Sequence, residues 1–137
     1  MSDTKTLYTA NVHVTGAREG HAKSSDGRLD IKLSTPGGPG AGTNPEQLFA
    51  AGWSACFEGA MGLAAKAKGV TLPETLAIDA QVELRHGDDG FSLAARLTVH
   101  VPGLADDVAR QIIEAAHRTC PYSKAIKGNI DAIVTLA

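Results

Sequence analysis

The chain has 137 residues, of which 43% are hydrophobic and 20% are charged, and its formal net charge is −2. This length and composition predict one globular domain over residues 1–137. Nothing in the small net charge indicates the basic surface of a nucleic-acid-binding protein. No apolar run of about 18 residues is free of charges, so no membrane span is predicted. Residues 1–5 lack the features of a secretory signal, which indicates a cytoplasmic protein.

The first third of the chain predicts strands separated by turns. Residues 6–14 and residues 28–34 alternate apolar and polar side chains, as a half-buried strand does. Glycines predict a turn at residues 16–20, and polar residues predict a hairpin or short loop at residues 24–27. Residues 36–43 are rich in Gly and Pro but are not followed by Gly-Lys-Ser/Thr, so they indicate a mobile connector rather than a phosphate loop.

A long helix is predicted over residues 45–68. Asn44 is a good N-cap, Pro45 suits the first helical position, Gln47 suits a capping box, and Gly69 is a typical stop. The helix is apolar around most of its circumference, which predicts a central, buried position. At about 100° per residue, one face is shared by the following residues: Phe49, Gly52, Trp53, Cys56, Ala60 and Leu63.

The second half predicts a hairpin, a helix and a final strand. Residues 75–85 and 91–100 form the hairpin strands around a turn at residues 86–90. A helix follows over residues 104–118, ended by Pro121, and a last strand spans residues 130–136. Hairpins together with two helices predict the α+β class with antiparallel sheet, in which the long helix is central and the second helix accompanies it.

The two cysteines carry the candidate chemistry. In a reducing compartment a permanent disulfide between Cys56 and Cys120 would be unusual, so they are either buried inert thiols, redox-active thiols or part of a metal site. His117 lies near Cys120 in the sequence, but no further histidine completes a recognisable ligand set, so neither a metal nor a bound cofactor is predicted. No Ser/His/Asp arrangement and no nucleotide fingerprint is visible.

Cys56 requires a cation to become a nucleophile. Burial on the apolar helix face disfavours its thiolate, and an arginine is the best stabilising partner because it stays charged. Arg18, in a glycine-flanked turn, is a candidate, although a solvated turn residue would look the same. Glu46 suits the helix N-terminus by its charge alone, or it holds Arg18 in an ion pair. Cys120, inward-facing at a broken helix end, has the position of a resolving thiol.

Four segments resemble a known family. They are Thr-Gly-Ala-Arg-Glu-Gly (15–20), Ser-Ser-Asp-Gly-Arg-Leu-Asp (24–30), Gly-Thr-Asn-Pro-Glu-Gln-Leu-Phe-Ala-Ala-Gly-Trp-Ser-Ala-Cys-Phe (42–57) and His-Arg-Thr-Cys-Pro-Tyr-Ser-Lys-Ala (117–125). These segments resemble the bacterial organic hydroperoxide resistance proteins, which belong to the wider family that includes the osmotically inducible protein OsmC. The resemblance covers essentially the whole chain and both cysteine contexts.

The resemblance implies a fold, an activity and roles for four residues. It implies a cytoplasmic homodimer with intertwined sheets around central helices. It also implies a peroxidase that protects against oxidative stress by reducing alkyl, lipid and fatty-acid hydroperoxides in preference to hydrogen peroxide. Cys56 would be the peroxidatic thiol and Cys120 the resolving thiol, with Arg18 activating the thiolate and Glu46 as its ion-pair partner. The implied reductant is an external dithiol, the dihydrolipoyl group of a lipoylated protein.

The spacing of Glu46 and Cys56 adds a hypothesis about the oligomer. On one continuous helix these residues are about 15 Å apart along the axis. If both serve one site, we expect Glu46 to reach a cysteine of the other subunit.

Three alternatives stay open. One is an OsmC-type peroxidase of broader substrate range, and another is a non-catalytic protein that binds apolar ligands. A thiol–disulfide oxidoreductase is the third, although its usual CxxC motif is absent.

Overall fold

A computed structural model describes residues 3–137. Residues 1 and 2, which belong to the segment predicted to lack a secretory signal, lie outside the described residues. The chain divides into two compact units, one ending at Pro45 and the other spanning Glu46–Ala137. The single domain over residues 1–137 stays a prediction.

The first unit is built on a small antiparallel sheet. Strands β1 (Val12–Thr15), β2 (His21–Ser24) and β3 (Asp30–Lys32) pair in the order β1-β2-β3. The predicted strand over residues 6–14 was mostly wrong, because only its end pairs and the residues before Val12 form no strand. Strand β2 was not predicted, since its polar residues give no alternation and only pairing with its neighbours on both sides makes it a strand.

The second unit begins at the second residue of the predicted long helix, α1 (Pro45–Ala67). Its boundaries follow the local signals, with Pro45 at the first position and Gly69 in the left-handed conformation just beyond the end. The predicted burial holds for only part of the helix surface. One stripe packs into the core, with Trp53, Phe57 and Met61 fully buried, whereas Leu63, expected on that stripe, is 74% exposed.

The second sheet contains strands β4 (Ala77–Gly87), β5 (Gly90–His100) and β6 (Asp131–Leu136), with β5 in the centre. The hairpin of β4 and β5 is antiparallel, as predicted. Strand β6 instead pairs with β5 in parallel, which corrects the expectation of antiparallel pairing throughout. The reason is the helical connection between β5 and β6, which returns the chain to the same end of the sheet before β6 begins.

That connection contains α2 (Asp106–Thr119) and a short helix, α3 (Pro121–Ile126). Pro121 ends α2 as predicted, but it also occupies the first position of α3, which was not predicted. The core of this unit lies between α1, α2 and β5, and its fully buried members include Trp53, Leu97 and Ile112. The predicted α+β class is confirmed.

Candidate functional site

The two cysteine sulfurs are in contact. Cys56 lies on α1 and Cys120 between α2 and α3, and the Cys120 thiol donates to Cys56 Sγ over 3.4 Å. Both are free thiols. A disulfide bond is about 2.05 Å long, so the sulfurs are unbonded but need only a small movement to bond. Cys120 is fully buried and Cys56 is half-buried, which makes Cys56 the more accessible sulfur.

Pro121 determines where Cys120 stands. A residue before proline is disfavoured in the helical conformation, and Cys120 is extended, with φ −60° and ψ 123°. Its backbone still joins both helices, because its N–H donates to the carbonyl of Ala116 and its carbonyl accepts from the N–H of Lys124. Cys120 is therefore the joint between α2 and α3, and the sulfur projects from this joint towards α1.

Aromatic side chains surround this part of α1. The ring of Phe49 stacks on Trp53, with centroids 5.9 Å apart, and on Tyr122 of α3, with centroids 6.4 Å apart. Gly52 lies under Tyr122, and a Cβ at this position would be 3.0 Å from the Tyr122 hydroxyl. The missing side chain of Gly52 thus allows α3 to approach α1 closely, and the neighbourhood of Cys56 is apolar.

The surroundings hold Cys56 protonated within this unit. Burial raises the pKa of the Cys56 thiol, and the adjacent Cys120 raises it further. The backbone amide of Tyr122 opposes this shift in pKa by hydrogen bonding to the sulfur. A reactive thiolate at neutral pH therefore requires additional positive charge.

A strained turn carries Arg18 in the first unit. Arg18 is the middle residue of a 3-10 turn, Ala17–Glu19, which Gly16 precedes and Gly20 follows. Ala17 has a φ of 52°, in the left-handed region that residues with a Cβ adopt at a cost of about 1–2 kcal/mol. A Cβ at Gly20 would lie only 1.7 Å from the carbonyl oxygen of Thr15. This turn has one narrowly defined backbone conformation, as a turn that presents a side chain requires.

The predicted site residues are therefore placed as follows. Cys56 and Cys120 are brought together, Glu46 lies in the first turn of α1, and Arg18 lies in the first unit. The predicted ion pair between Arg18 and Glu46, and the guanidinium beside Cys56, would link the two units and stay predictions.

Three residues near the sulfurs were not predicted. Phe57 and Ser123 are buried and Tyr122 hydrogen-bonds to Cys56 through its backbone. Phe57 could have been found from the helical repeat of α1. Ser123 and Tyr122 belong to α3, whose one sequence signal is a proline that serves equally to end α2.

Within residues 3–137, no group of three or more His, Cys, Asp or Glu side chains is arranged to hold a metal ion. His117 instead directs its Nδ1 to the Ser123 hydroxyl, 3.0 Å away.

Helix α1 is long and apolar enough to cross a membrane. A single helix of this kind is weak evidence for a span, since the core helix of a globular unit has the same length and composition. Here Trp53, Phe57 and Met61 of α1 are packed into the core.

Comparison with known proteins identifies the family. The family model for OsmC-like proteins matches residues 37–135. An organic hydroperoxide resistance protein of Xanthomonas axonopodis pv. citri is 48% identical over 140 residues, covering 99% of both chains. The crystal structure of OhrB, an organic hydroperoxide resistance protein of Bacillus subtilis, has a TM-score of 0.90 at 40% identity, covering 96% of this chain and 100% of its own.

An organic hydroperoxide resistance protein from Legionella pneumophila also has a TM-score of 0.90 at 40% identity, covering 97% of this chain and 99% of its own. Since the family model matches most of the chain and the relatives align over nearly their whole length, the chain belongs to the OsmC-like family, among its organic hydroperoxide resistance proteins.

Proposed function

We propose that this protein is a thiol peroxidase that reduces organic hydroperoxides to alcohols. The relatives' names support a role in peroxide detoxification. The observation that carries the proposal is the contact of the two free sulfurs at 3.4 Å. Two thiols at this distance can exchange between a reduced pair and a disulfide without refolding.

The reaction proceeds in two steps on the protein. The Cys56 thiolate attacks the distal oxygen of the hydroperoxide, the O–O bond breaks, and the alkoxide takes up a proton to leave as the alcohol. Cys56 becomes a sulfenic acid. Cys120 then attacks the oxidised sulfur, so that the S–S bond forms, the S–O bond breaks and water leaves.

The exposure of the two sulfurs supports this division of roles. Cys56 is partly accessible, whereas Cys120 is completely buried. A peroxide from solvent therefore reaches Cys56 first, and Cys120 is held behind it as the second thiol.

Arg18 is the proposed source of the positive charge that a Cys56 thiolate requires. Because burial raises the pKa of the Cys56 thiol, the thiolate is scarce at neutral pH without a cation. A guanidinium would lower that pKa and stabilise the charge that develops as the O–O bond breaks. The defined turn around Arg18 supports such a task. Glu46 orients this guanidinium through an ion pair.

A homodimer is part of the proposal. Helix α1 is continuous from Glu46 past Cys56, which separates these residues by about 15 Å along the axis. Glu46 would therefore complete the site around a cysteine of the other subunit. The intertwined dimer would also cover the exposed face of α1 that includes Leu63.

The apolar surroundings of Cys56 favour substrates with hydrocarbon tails, including alkyl, lipid and fatty-acid hydroperoxides. Removing apolar surface from water contributes about 25 cal/mol per Å², and Phe49 and Tyr122 offer such surface. The disulfide returns to the dithiol by exchange with an external dithiol, for which we propose the dihydrolipoyl group of a lipoylated protein in the cytoplasm.

Peroxide consumption with a dithiol reductant tests the proposal. Cys56→Ser should abolish turnover of tert-butyl hydroperoxide. Cys120→Ser should complete one reduction and then stop, as its Cys56 over-oxidises. Turnover by Cys56→Ser would contradict the assignment. Equal rates with hydrogen peroxide and tert-butyl hydroperoxide would favour an OsmC-type enzyme of broader range, and inertness of the wild type would favour an apolar-ligand-binding protein.

Arg18→Ala tests the activating cation. The pH at which iodoacetamide alkylates Cys56 should rise in this variant, with Arg18→Lys in between. An unchanged alkylation profile would show that another group activates the thiol.

A further inference from the structure

Three side chains near the cysteines in the sequence, Trp53, Ser123 and His117, are joined by hydrogen bonds, of which the one between Trp53 and Ser123 is buried and the one to the exposed His117 is partly buried. Ser123 is 1% exposed and Trp53 is fully buried. The Trp53 indole Nε1–H donates to Ser123 Oγ over 3.0 Å, and His117 Nδ1 lies 3.0 Å from the same oxygen. The hydroxyl of Ser123 therefore connects α1 with the end of α2.

The chemistry of the three groups gives the direction of each hydrogen bond. An indole N–H is a donor only, so Ser123 Oγ accepts from Trp53. The single hydroxyl proton of Ser123 is then available to donate to His117 Nδ1, which requires a neutral imidazole with its proton on Nε2. Burial lowers the pKa of His117, as does the charge of Lys127, and both effects favour this neutral form. The indole N–H, the Ser123 hydroxyl and His117 Nδ1 each have a hydrogen-bond partner in this arrangement.

These hydrogen bonds join the two backbone segments that carry the sulfurs. Trp53 lies one helical turn before Cys56 on α1, on the same face. His117 lies one turn before Cys120 and Ser123 one turn after it, so they flank the joint between α2 and α3 on both sides. The position of Cys120 relative to Cys56 therefore depends on contacts that meet at the Ser123 hydroxyl.

We propose that Ser123 is a positioning residue whose hydroxyl holds the joint between α2 and α3 against α1 and keeps Cys120 within reach of oxidised Cys56. This inference rests on the proposed function. Its consequence concerns the second step, in which the sulfenic acid either meets Cys120, giving a disulfide and water, or meets a second hydroperoxide, giving a sulfinic acid and a second alcohol. Ser123 biases this competition towards the disulfide and leaves the first step unchanged.

The test compares Ser123→Ala with the wild type in rapid mixing. The reduced protein is mixed with tert-butyl hydroperoxide, quenched with a sulfenic-acid trap, and analysed by intact mass. We expect the second-order rate of sulfenic acid formation to be unchanged. Disulfide closure should slow by about tenfold, the factor to which one buried hydrogen bond corresponds. Sulfinic acid should then accumulate at a lower excess of peroxide.

Two His117 variants separate loss of the hydrogen bond from general destabilisation, because their rates of disulfide closure should differ. His117→Asn places a carbonyl oxygen near the position of Nδ1 and can still accept the Ser123 proton, whereas His117→Leu cannot. We expect closure near the wild-type rate in the first variant and slow closure in the second. This pair also carries the test if Ser123→Ala fails to fold.

The core variant Val99→Ala is the matched control for stability, because Val99 is fully buried on β5 and is outside the hydrogen-bonded chain. It should unfold more easily yet close its disulfide at the wild-type rate. Closure at the wild-type rate in both Ser123→Ala and His117→Leu would overturn the inference, as would equal slowing in Val99→Ala.

Failure of the proposed function has a different signature. In that case the wild type would form no sulfenic acid with an alkyl hydroperoxide. The geometry can then still be measured with diamide, a thiol oxidant that forms an adduct with one thiol and is reduced as the other displaces it. Slow closure with diamide in Ser123→Ala and normal closure in His117→Asn would support the positioning role without the peroxidase.

Discussion

Oxidation should stabilise the protein strongly, because the proposed disulfide crosslinks distant parts of one chain. Cys56 and Cys120 are separated by 64 residues. Closing a loop of that length removes about 4 kcal/mol of conformational freedom from the unfolded chain at 25 °C in the chain-entropy model. The sulfurs are already in contact in the reduced protein, so the folded state needs little rearrangement to form the bond.

The expected stabilisation corresponds to a large shift in melting temperature. For a chain of 137 residues, 1 kcal/mol shifts Tm by about 3–4 °C, which gives a shift of roughly 12–16 °C. The assay is scanning calorimetry of the reduced protein and of the same protein after one equivalent of tert-butyl hydroperoxide. Cys120→Ser is the control, since it can be oxidised at Cys56 but cannot close the loop, and its Tm should not rise.

Two results would refute this reasoning. A wild-type protein that loses both thiols without a rise in Tm would show that the sulfurs pair between chains or with other thiols. A rise in Cys120→Ser as large as in the wild type would show that oxidation of Cys56 stabilises the protein by another route.

Three further perturbations probe the turn of the first unit, the core and the ionisation of Cys56. In Gly20→Ala the added Cβ would lie 1.7 Å from the Thr15 carbonyl oxygen and should distort the turn that carries Arg18. Peroxidase turnover should be abolished in steady-state assays, whereas disulfide closure driven by diamide should stay intact. Loss of both would mean that the whole protein unfolds. Ile112→Ala removes a fully buried side chain and should lower the free energy of unfolding by about 2–5 kcal/mol in urea titrations with an unchanged m-value; a loss below 1 kcal/mol would contradict its place in the core. In reduced Arg18→Ala, burial keeps the pKa of Cys56 in the folded protein above its value in the unfolded chain. Above about pH 8.5 the unfolded chain therefore loses the Cys56 proton while the folded protein keeps it. The free energy of unfolding should then fall as the pH rises. Denaturation across that range should show no such fall when Cys56→Ser is added.

Much of the second unit could be predicted from the sequence, because its signals are local. Asn44 and Pro45 signal the start of α1 and Gly69 signals its end, and each acts on backbone only a few residues away. The predicted helix over residues 45–68 accordingly agrees with Pro45–Ala67. The hairpin of β4 and β5 follows equally from alternation on both sides of a short turn. Cys56 and Cys120 could be selected as candidates by their residue type, by their positions at an apolar helix face and a helix end, and by the resemblance of their contexts.

Contacts between distant segments decided the rest. Strand β2 exists because β1 and β3 pair with it, and β6 runs parallel to β5 because two helices reverse the chain between them. No local pattern encodes these pairings.

The same holds for the chemistry. The sequence determined that two cysteines of suitable character are present, but only the packing of the joint between α2 and α3 against α1 places their sulfurs 3.4 Å apart. The physical reason is that a contact across such a long loop is made by the whole buried core, whereas caps, turns and alternation act over a few neighbouring residues.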